Sequence, residues 1–212
     1  MVVKLDSFLP EDISSEIRFD IDFNEEIYKI KNSVTHLGEG SLLYALSLRE
    51  LHIPSSLCSI HKEAFIHATQ LRTIKVSRNN NFYSSKGGVL YDKTFTKLIH
   101  YPATKNIGRF KLPIGITTIS SYAFLGTDKL LCLEIPSSVE EVEENSFLNT
   151  KIQTLKFYHS TPSQIKFKGD KTSIINLISS CKVFVPCQYV DIYKKHPVFK
   201  VARELVPFKV LF

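Results

Sequence analysis

The feature that most constrains this chain is a segment of about 15 residues that recurs along it. Each copy begins with an apolar–polar–apolar triplet and continues with two apolar positions three residues apart. It ends in a small residue followed by an aromatic or apolar one. The copies with this pattern are 28–42, 51–65, 110–124 and 133–147. Equivalent positions such as Ile30 and Ile53, or Leu112 and Ile135, are 23 residues apart. A fixed period of this length indicates a stacked repeat protein.

The start of each repeat predicts one short β-strand. In the triplet Leu51, His52 and Ile53, alternate side chains point to the same face, as they do in a strand. Proline follows the triplet directly in three copies, at Pro54, Pro113 and Pro136. Because proline has no backbone N–H to donate, the strand ends there. A single repeat cannot bury its apolar face, so we expect the strands to stack in a curved parallel sheet, with turns and short helical pieces on the other side.

The repeat pattern, L-x-I-P-x-x-V-x-x-I-x3-A-F, resembles the BspA-like leucine-rich repeats over roughly residues 25–200. The first copy departs from that pattern, with Lys31 in place of the usual Pro and Leu42 in place of the usual Phe. The resemblance implies an α/β-type repeat solenoid, namely the right-handed leucine-rich-repeat solenoid with one short strand per repeat. Proteins with this pattern are typically bacterial or protist, are often found at the cell surface, and are implicated in adhesion.

We expect one continuous domain with an insertion. The predicted parts are an N-terminal cap over 1–24, leucine-rich repeats over 25–181, and a last repeat strand with a C-terminal cap over 182–212. Phe65 and Phe124 are 59 residues apart, which is two periods plus 13, so one copy carries extra residues. The runs 88–92 and 98–102 resemble the hairpin that commonly interrupts such arrays. We therefore expect an inserted β-hairpin over about residues 79–102.

The sequence contains no motif for catalysis, metal binding or phosphate binding. It lacks G-x-S-x-G, H-E-x-x-H and G-x4-G-K-[ST], and His61 and His67 lie six residues apart. The four cysteines, none of them in a C-x2-C pair, are Cys58, Cys132, Cys181 and Cys187. Whether any of them form disulfides stays open. We expect a non-catalytic protein with no catalytic residue, no cofactor and no metal. The alternative, an enzyme, would need a pocket with converging polar groups.

The outward side chains of the predicted strands are mostly basic. The net charge is +6, and residues 151–212 carry eleven basic and three acidic side chains. The middle residue of each triplet faces outward, and a second outward column adds Arg109. The candidate binding residues are Lys29, His52, Lys75, Arg109, Lys111, Glu134 and Lys156. Because solenoids bind partners on their concave faces, we expect this face to bind a protein or an anionic glycan. The alternative is that the lysines only keep exposed strands soluble.

The remaining expectations concern partners and location. No DNA- or RNA-binding motif accompanies the basic charge, so we expect no specific nucleic acid partner. No run approaches the roughly 18 apolar residues of a membrane span. We expect a monomer or a weak homodimer, and the alternative function is a scaffold that oligomerises through an edge strand. Residues 1–10 show no signal peptide, whereas the resemblance points to the cell surface, so cytoplasmic and extracellular locations both stay open.

Overall fold

The computed structural model describes residues 25–42 and 45–210, so the predicted cap over 1–24 lies outside the described residues. In chain order the strands are β1 (Ile27–Lys29), β2 (His36–Leu37), β3 (Glu50–Ile53), β4 (Ser59–Ile60), β5 (Thr73–Val76), β6 (Tyr83–Lys86), β7 (Val89–Asp92), β8 (Lys97–His100), β9 (Arg109–Lys111), β10 (Thr118–Ile119), β11 (Cys132–Ile135), β12 (Glu141–Val142), β13 (Thr154–Phe157), β14 (Lys166–Phe167), β15 (Lys182–Pro186) and β16 (Glu204–Phe208). The helices are α1 (Thr172–Ser180) and α2 (Val190–Lys195), with 3₁₀ turns at Pro162–Gln164 and Cys187–Tyr189.

The triplet of each repeat forms a strand, and successive strands pair in parallel. Strands β1, β3 and β5 form one sheet, and β9, β11, β13, β15 and β16 form another. Tyr28 of β1 is opposite Leu51 of β3, which is opposite Ile74 of β5, with a step of 23 residues each time. In the second sheet, Phe110 of β9 is opposite Leu133 of β11. This is the stacking of repeats that the period predicts.

The expectation of one strand per repeat is wrong, because each of the copies 28–42, 51–65, 110–124 and 133–147 contains a second, shorter strand. Residues 36–37 pair in parallel with 59–60, and residues 118–119 pair with 141–142. These strands hold the later apolar positions of the repeat, such as Ile119 and Val142, both of which are buried. A strand of two residues has no alternation to detect, so the sequence pattern did not reveal it.

The predicted short helical pieces at the small-residue–Phe pairs are turns. Ala64 N donates to His61 O at 3.0 Å, and Ala68 N donates to Phe65 O at 3.0 Å. These are bonds between residues three apart, as in a tight turn. Ala64 and Phe65 are nonetheless buried, as the pattern predicts.

The residues inserted between the repeat that begins at β5 and the repeat that begins at β9 form three antiparallel strands, β6, β7 and β8. The turn between β6 and β7 is Gly87-Gly88, where φ is +58° and +80°, a conformation that favours glycine. Strand β8 then pairs in parallel with β10. The inserted strands therefore belong to the same sheet as the short second strands β10, β12 and β14. On the other side, Ile74 N of β5 donates to Gly88 O at 3.0 Å. The insertion therefore lies beside β5, and the triplet strands form two sheets instead of the single curved sheet expected.

The apolar core is divided in the same place. The repeats that begin at β1, β3 and β5 bury one cluster, which includes Leu51 and Ile74, and the later repeats bury a larger one, which includes Ile135. Strand β7 contributes to both, since Val89 and Tyr91 pack in the larger cluster and Leu90 in the smaller. Alternate side chains of a strand point to opposite faces, so both faces of β7 are buried.

Candidate binding surface

The seven predicted binding residues lie on the outward side of the triplet strands, in two groups. In the first sheet Lys29, His52 and Lys75 are opposite one another, and we call them the N-terminal patch. In the second sheet Lys111 is opposite Glu134, which is opposite Lys156, and Arg109 lies two residues before Lys111 on β9. We call these four residues the C-terminal patch. Because β5 and β9 belong to different sheets, the two patches do not form one ladder.

The N-terminal patch lines a shallow depression of about 280 Å³, together with turn residues that include Pro54. Glu50, at the start of β3, is bound by two members of the patch. It accepts a hydrogen bond from Lys75 Nζ at 2.6 Å and makes a short contact with His52 Nε2. The hydrogen bonds from Lys75 and then His52 hold the pKa of Glu50 below its ordinary value. Glu50 is therefore ionised at neutral pH and offsets part of the basic charge.

The C-terminal patch is organised around Glu134, which is only 6% exposed. Its Oε1 accepts a hydrogen bond from Arg109 Nε at 2.7 Å and forms an ion pair with Arg109 Nη2 at 2.6 Å. Its Oε2 accepts a hydrogen bond from the Tyr158 hydroxyl at 2.6 Å. Burial opposes ionisation of Glu134, but the hydrogen bonds from Tyr158 and Arg109 outweigh it and lower its pKa. Glu134 thus fixes the positions of its neighbours and offers little surface of its own.

Two aromatic residues that the sequence did not point to complete the C-terminal patch. Tyr158 directly follows β13, and Phe208 ends β16. Their rings meet edge to face with centroids 5.4 Å apart. Lys156 Nζ lies 5.1 Å from the Tyr158 centroid and 4.1 Å from that of Phe208, and Lys111 Nζ lies 5.6 Å from Tyr158. At such distances an ammonium group is attracted to the ring face. Both aromatics lie outside the triplets, which is why the repeat pattern gave no signal for them.

Within the described residues, one group of possible metal ligands could not be predicted from the sequence. Single donor atoms of Glu39, His61 and Glu63 lie within 4.8 Å of one another. The spacing gave no signal because Glu39 and His61 belong to different repeats. We assign no ion to this group, since Glu39 is exposed and Glu63 already accepts a hydrogen bond from the Tyr122 hydroxyl at 3.3 Å.

The cysteines are free thiols, which answers the question that the sequence left open. Cys181 is buried, and burial raises its pKa to about 11. Strand β15 separates it from Cys187, which is exposed. An extended strand holds residues at its two ends too far apart for a disulfide.

The BspA type leucine-rich repeat region family matches residues 23–98 and 100–184, with six copies of the repeat. The chain belongs to the BspA-type leucine-rich repeat family. The resemblance drawn from the repeat pattern is therefore confirmed, and with it the relationship to bacterial repeat proteins.

Solved structures of bacterial leucine-rich repeat proteins have the same fold as this BspA-type chain. A leucine-rich repeat protein from Eubacterium ventriosum is 25% identical, with a TM-score of 0.64, and the match covers 74% of this chain and 41% of that one. A leucine-rich cell surface protein from Faecalibacterium prausnitzii is 18% identical, with a TM-score of 0.55 and coverage of 87% and 60%. The pneumococcal vaccine antigen PcpA is 18% identical, with a TM-score of 0.50 and coverage of 87% and 68%. The BspA-type chain thus spans about two fifths of the Eubacterium protein and three fifths of the Faecalibacterium protein.

No curated protein matches the sequence of this BspA-type chain. Within the part of the chain that the structure describes, no helix has the length and apolar character needed to cross a membrane.

Proposed function

We propose that this protein is a non-catalytic interaction module whose strand face binds an acidic partner through the N-terminal and C-terminal patches. The observation that supports this most directly is the depression lined by Lys29, His52 and Lys75. It is concave, it lies on the face that leucine-rich repeat solenoids use for recognition, and its rim carries positive charge. The family also favours an interaction or adhesion role.

The ion pairs on the strand face do not remove its basic character. In the N-terminal patch, Lys29 and Lys75 outnumber the single carboxylate of Glu50. In the C-terminal patch, Arg109, Lys111 and Lys156 outnumber the single carboxylate of Glu134. Opposite charge on a partner steers the encounter and selects among partners, and it does so most strongly at low salt.

The C-terminal patch favours a protein partner over a glycan. Arginine and tyrosine are enriched among the residues that dominate protein–protein binding energies. Here Arg109, Tyr158 and Phe208 lie together, and the hydrogen bonds to Glu134 hold the first two in place. A surface whose side chains are already ordered loses less conformational entropy on binding.

The test is binding of the purified chain to an array of acidic proteins and sulfated or carboxylated glycans at low and physiological salt. We expect salt-sensitive binding to acidic proteins that falls at least about tenfold in Lys75→Glu/Lys111→Glu. The variant Lys75→Gln/Lys111→Gln gives a smaller loss and avoids repulsion between a new carboxylate and Glu50. The matched control is Lys151→Glu/Lys200→Glu, which makes the same change in net charge at exposed positions off the strands.

Equal losses in the strand-face variant and the control would mean that only net charge matters, and would overturn the proposed site. Unchanged binding in Lys75→Glu/Lys111→Glu would overturn it as well. Binding to sulfated glycans in preference to acidic proteins would keep the site and replace the class of partner. Circular dichroism of each variant establishes that the fold is retained.

A further inference from the structure

The last two strands of the second sheet, β15 and β16, carry apolar side chains on their outward side. Val183 and Val185 are buried in the core, so Phe184 between them points outward. Val206 of β16 is opposite Phe184, and residues opposite one another in a parallel pair point to the same face. Phe208, two residues further along β16, points outward as well. The strand face, which is mostly basic over β9 and β13, is therefore mainly apolar over β15 and β16.

The three outward residues Phe184, Val206 and Phe208 form a surface that we call the apolar patch. Each of them is partly exposed, and none belongs to either apolar core cluster. The apolar patch adjoins the C-terminal patch, because the Phe208 ring lies edge to face against Tyr158. Single exposed apolar side chains are ordinary on a protein surface, but neighbouring ones bordered by polar residues are typical of a protein interface.

Lys156 borders the apolar patch and has no ion-pair partner among the described residues. Its Nζ lies 4.1 Å from the centroid of the Phe208 ring. Glu134 is opposite it on β11, but the two oxygens of that carboxylate already accept hydrogen bonds from Arg109 and Tyr158. The ammonium group of Lys156 is therefore available to a carboxylate from outside the protein.

The apolar patch and Lys156 together select a partner that combines apolar and acidic character. A purely acidic partner leaves the apolar patch in water, and a purely apolar one buries the ammonium group without a counter-charge. Lys156 is opposite Phe184 on the adjacent strand, and adjacent strands lie about 4.8 Å apart. The carboxylate and the apolar side chain of the partner must therefore lie close together. Side chains four residues apart on a helix are separated by about 5–6 Å and meet this requirement.

We propose that the apolar patch and Lys156 bind one segment of a protein partner, in which a leucine or phenylalanine lies beside a carboxylate on the same face. This inference rests on the proposed function, because it specifies the chemistry of the partner that the C-terminal patch binds. The apolar contact supplies affinity that salt does not screen, whereas Lys156 positions the acidic side chain.

The experiment measures the binding of two alanine-based helical peptides of identical composition to the full chain by fluorescence anisotropy. In the first peptide a glutamate follows each leucine after four residues, so both side chains lie on one face. In the second the glutamate follows after two residues and lies on the other side of the helix. We expect the first peptide to bind at least about tenfold more tightly, as the burial of one leucine side chain implies.

Variants of the protein locate the contact. Phe208→Ala and Val206→Thr should each lower the affinity for the first peptide about three- to tenfold, by similar factors at low and high salt. Each should change the affinity for the second peptide less. Val206→Thr keeps the branched side chain that suits a strand. The matched control is Phe82→Ala, since Phe82 is 51% exposed and lies outside the apolar patch. Lys156→Gln should weaken binding mainly at low salt. Circular dichroism establishes that each variant is folded.

The proposal is overturned if the first peptide does not bind, if the two peptides bind equally, or if Phe208→Ala and Val206→Thr bind the first peptide as tightly as wild type. An equal loss in Phe82→Ala would also overturn it. Self-association in light scattering that Phe208→Ala abolishes would do the same, because the occupant would then be a second copy of this chain.

The proposed function can hold while this inference fails. Salt-sensitive binding of acidic proteins, lost in Lys75→Glu/Lys111→Glu, together with equal binding of the two peptides would give that result.

Discussion

Asn80, at the start of the inserted strands, is completely buried and makes four hydrogen bonds to the backbone. Its Nδ2 donates to Pro54 O at 2.7 Å and Leu57 O at 2.8 Å, in the turn of the second repeat. Its Oδ1 accepts from Phe82 N at 2.8 Å and Tyr83 N at 2.7 Å, where β6 begins. One side chain therefore ties the insertion to the array.

The substitution Asn80→Ala removes all four bonds and leaves two carbonyls and two N–H groups without a protein partner. Each hydrogen bond has a net value of about 1 kcal/mol, so we expect the free energy of unfolding to fall by about 4 kcal/mol. Urea unfolding followed by circular dichroism measures this loss. The control is Asn79→Ala, since Asn79 is exposed and its truncation should change stability by less than about 0.5 kcal/mol.

Hydrogen exchange locates the effect of Asn80→Ala. The amides of Phe82 and Tyr83 lose their acceptor, so their exchange should accelerate more than that of amides in β11 and β13. A loss below about 1 kcal/mol, or equal losses for Asn80→Ala and Asn79→Ala, would refute the reasoning.

Two further predictions concern the core. Ile135 has no exposed surface, so Ile135→Ala should lower the free energy of unfolding, measured in urea, by about 2–5 kcal/mol. Ile114 is 85% exposed, and Ile114→Ala should leave that free energy almost unchanged. Similar losses in the two variants would contradict the assigned burial. His100 is buried, and burial lowers its pKa from 6.5 to about 3. Between pH 6.5 and pH 3, therefore, the His100 side chain binds a proton in the unfolded chain but not in the folded one. Its contribution to stability is thus present above pH 6.5 and is lost as the pH falls toward 3. We expect about 1–2 kcal/mol less stability at pH 5 than at pH 7, and a smaller difference in His100→Leu; an unchanged difference in that variant would show that His100 is not the group responsible.

The repeat and its buried positions could be predicted because they depend on local pattern. The triplet gives alternation, the proline ends the strand, and the 23-residue step sets which residues lie opposite one another. Leu51, Ile74 and Leu133 are fully buried for these reasons. The second strand of each repeat could not be predicted, since two residues such as Thr118 and Ile119 carry no periodic signal.

The binding surface could be predicted only as columns of residues. Register places Lys75 beside His52, but it does not say which way a long side chain turns. In the structure Lys75 forms an ion pair with Glu50, and Arg109 forms one with Glu134. The order of residues along the strands does not reveal that these two carboxylates partly neutralise the basic side chains. Phe208 reaches the C-terminal patch through β16, a strand beyond the last repeat, and no repeat pattern extends there.

The burial of both faces of β7 has a consequence for how such a chain can lengthen or shorten during evolution. Each repeat of such an array is stabilised mainly by contacts with its two neighbours. A repeat can therefore be gained or lost at a place where one copy packs on the next. Here Leu90 serves the first block of repeats, while Val89 and Tyr91 serve the second. Duplication or deletion of a copy within either block leaves the other block's packing on β7 intact. The inserted strands thus separate two blocks of repeats, and the number of repeats in each block can change without altering the packing of the other.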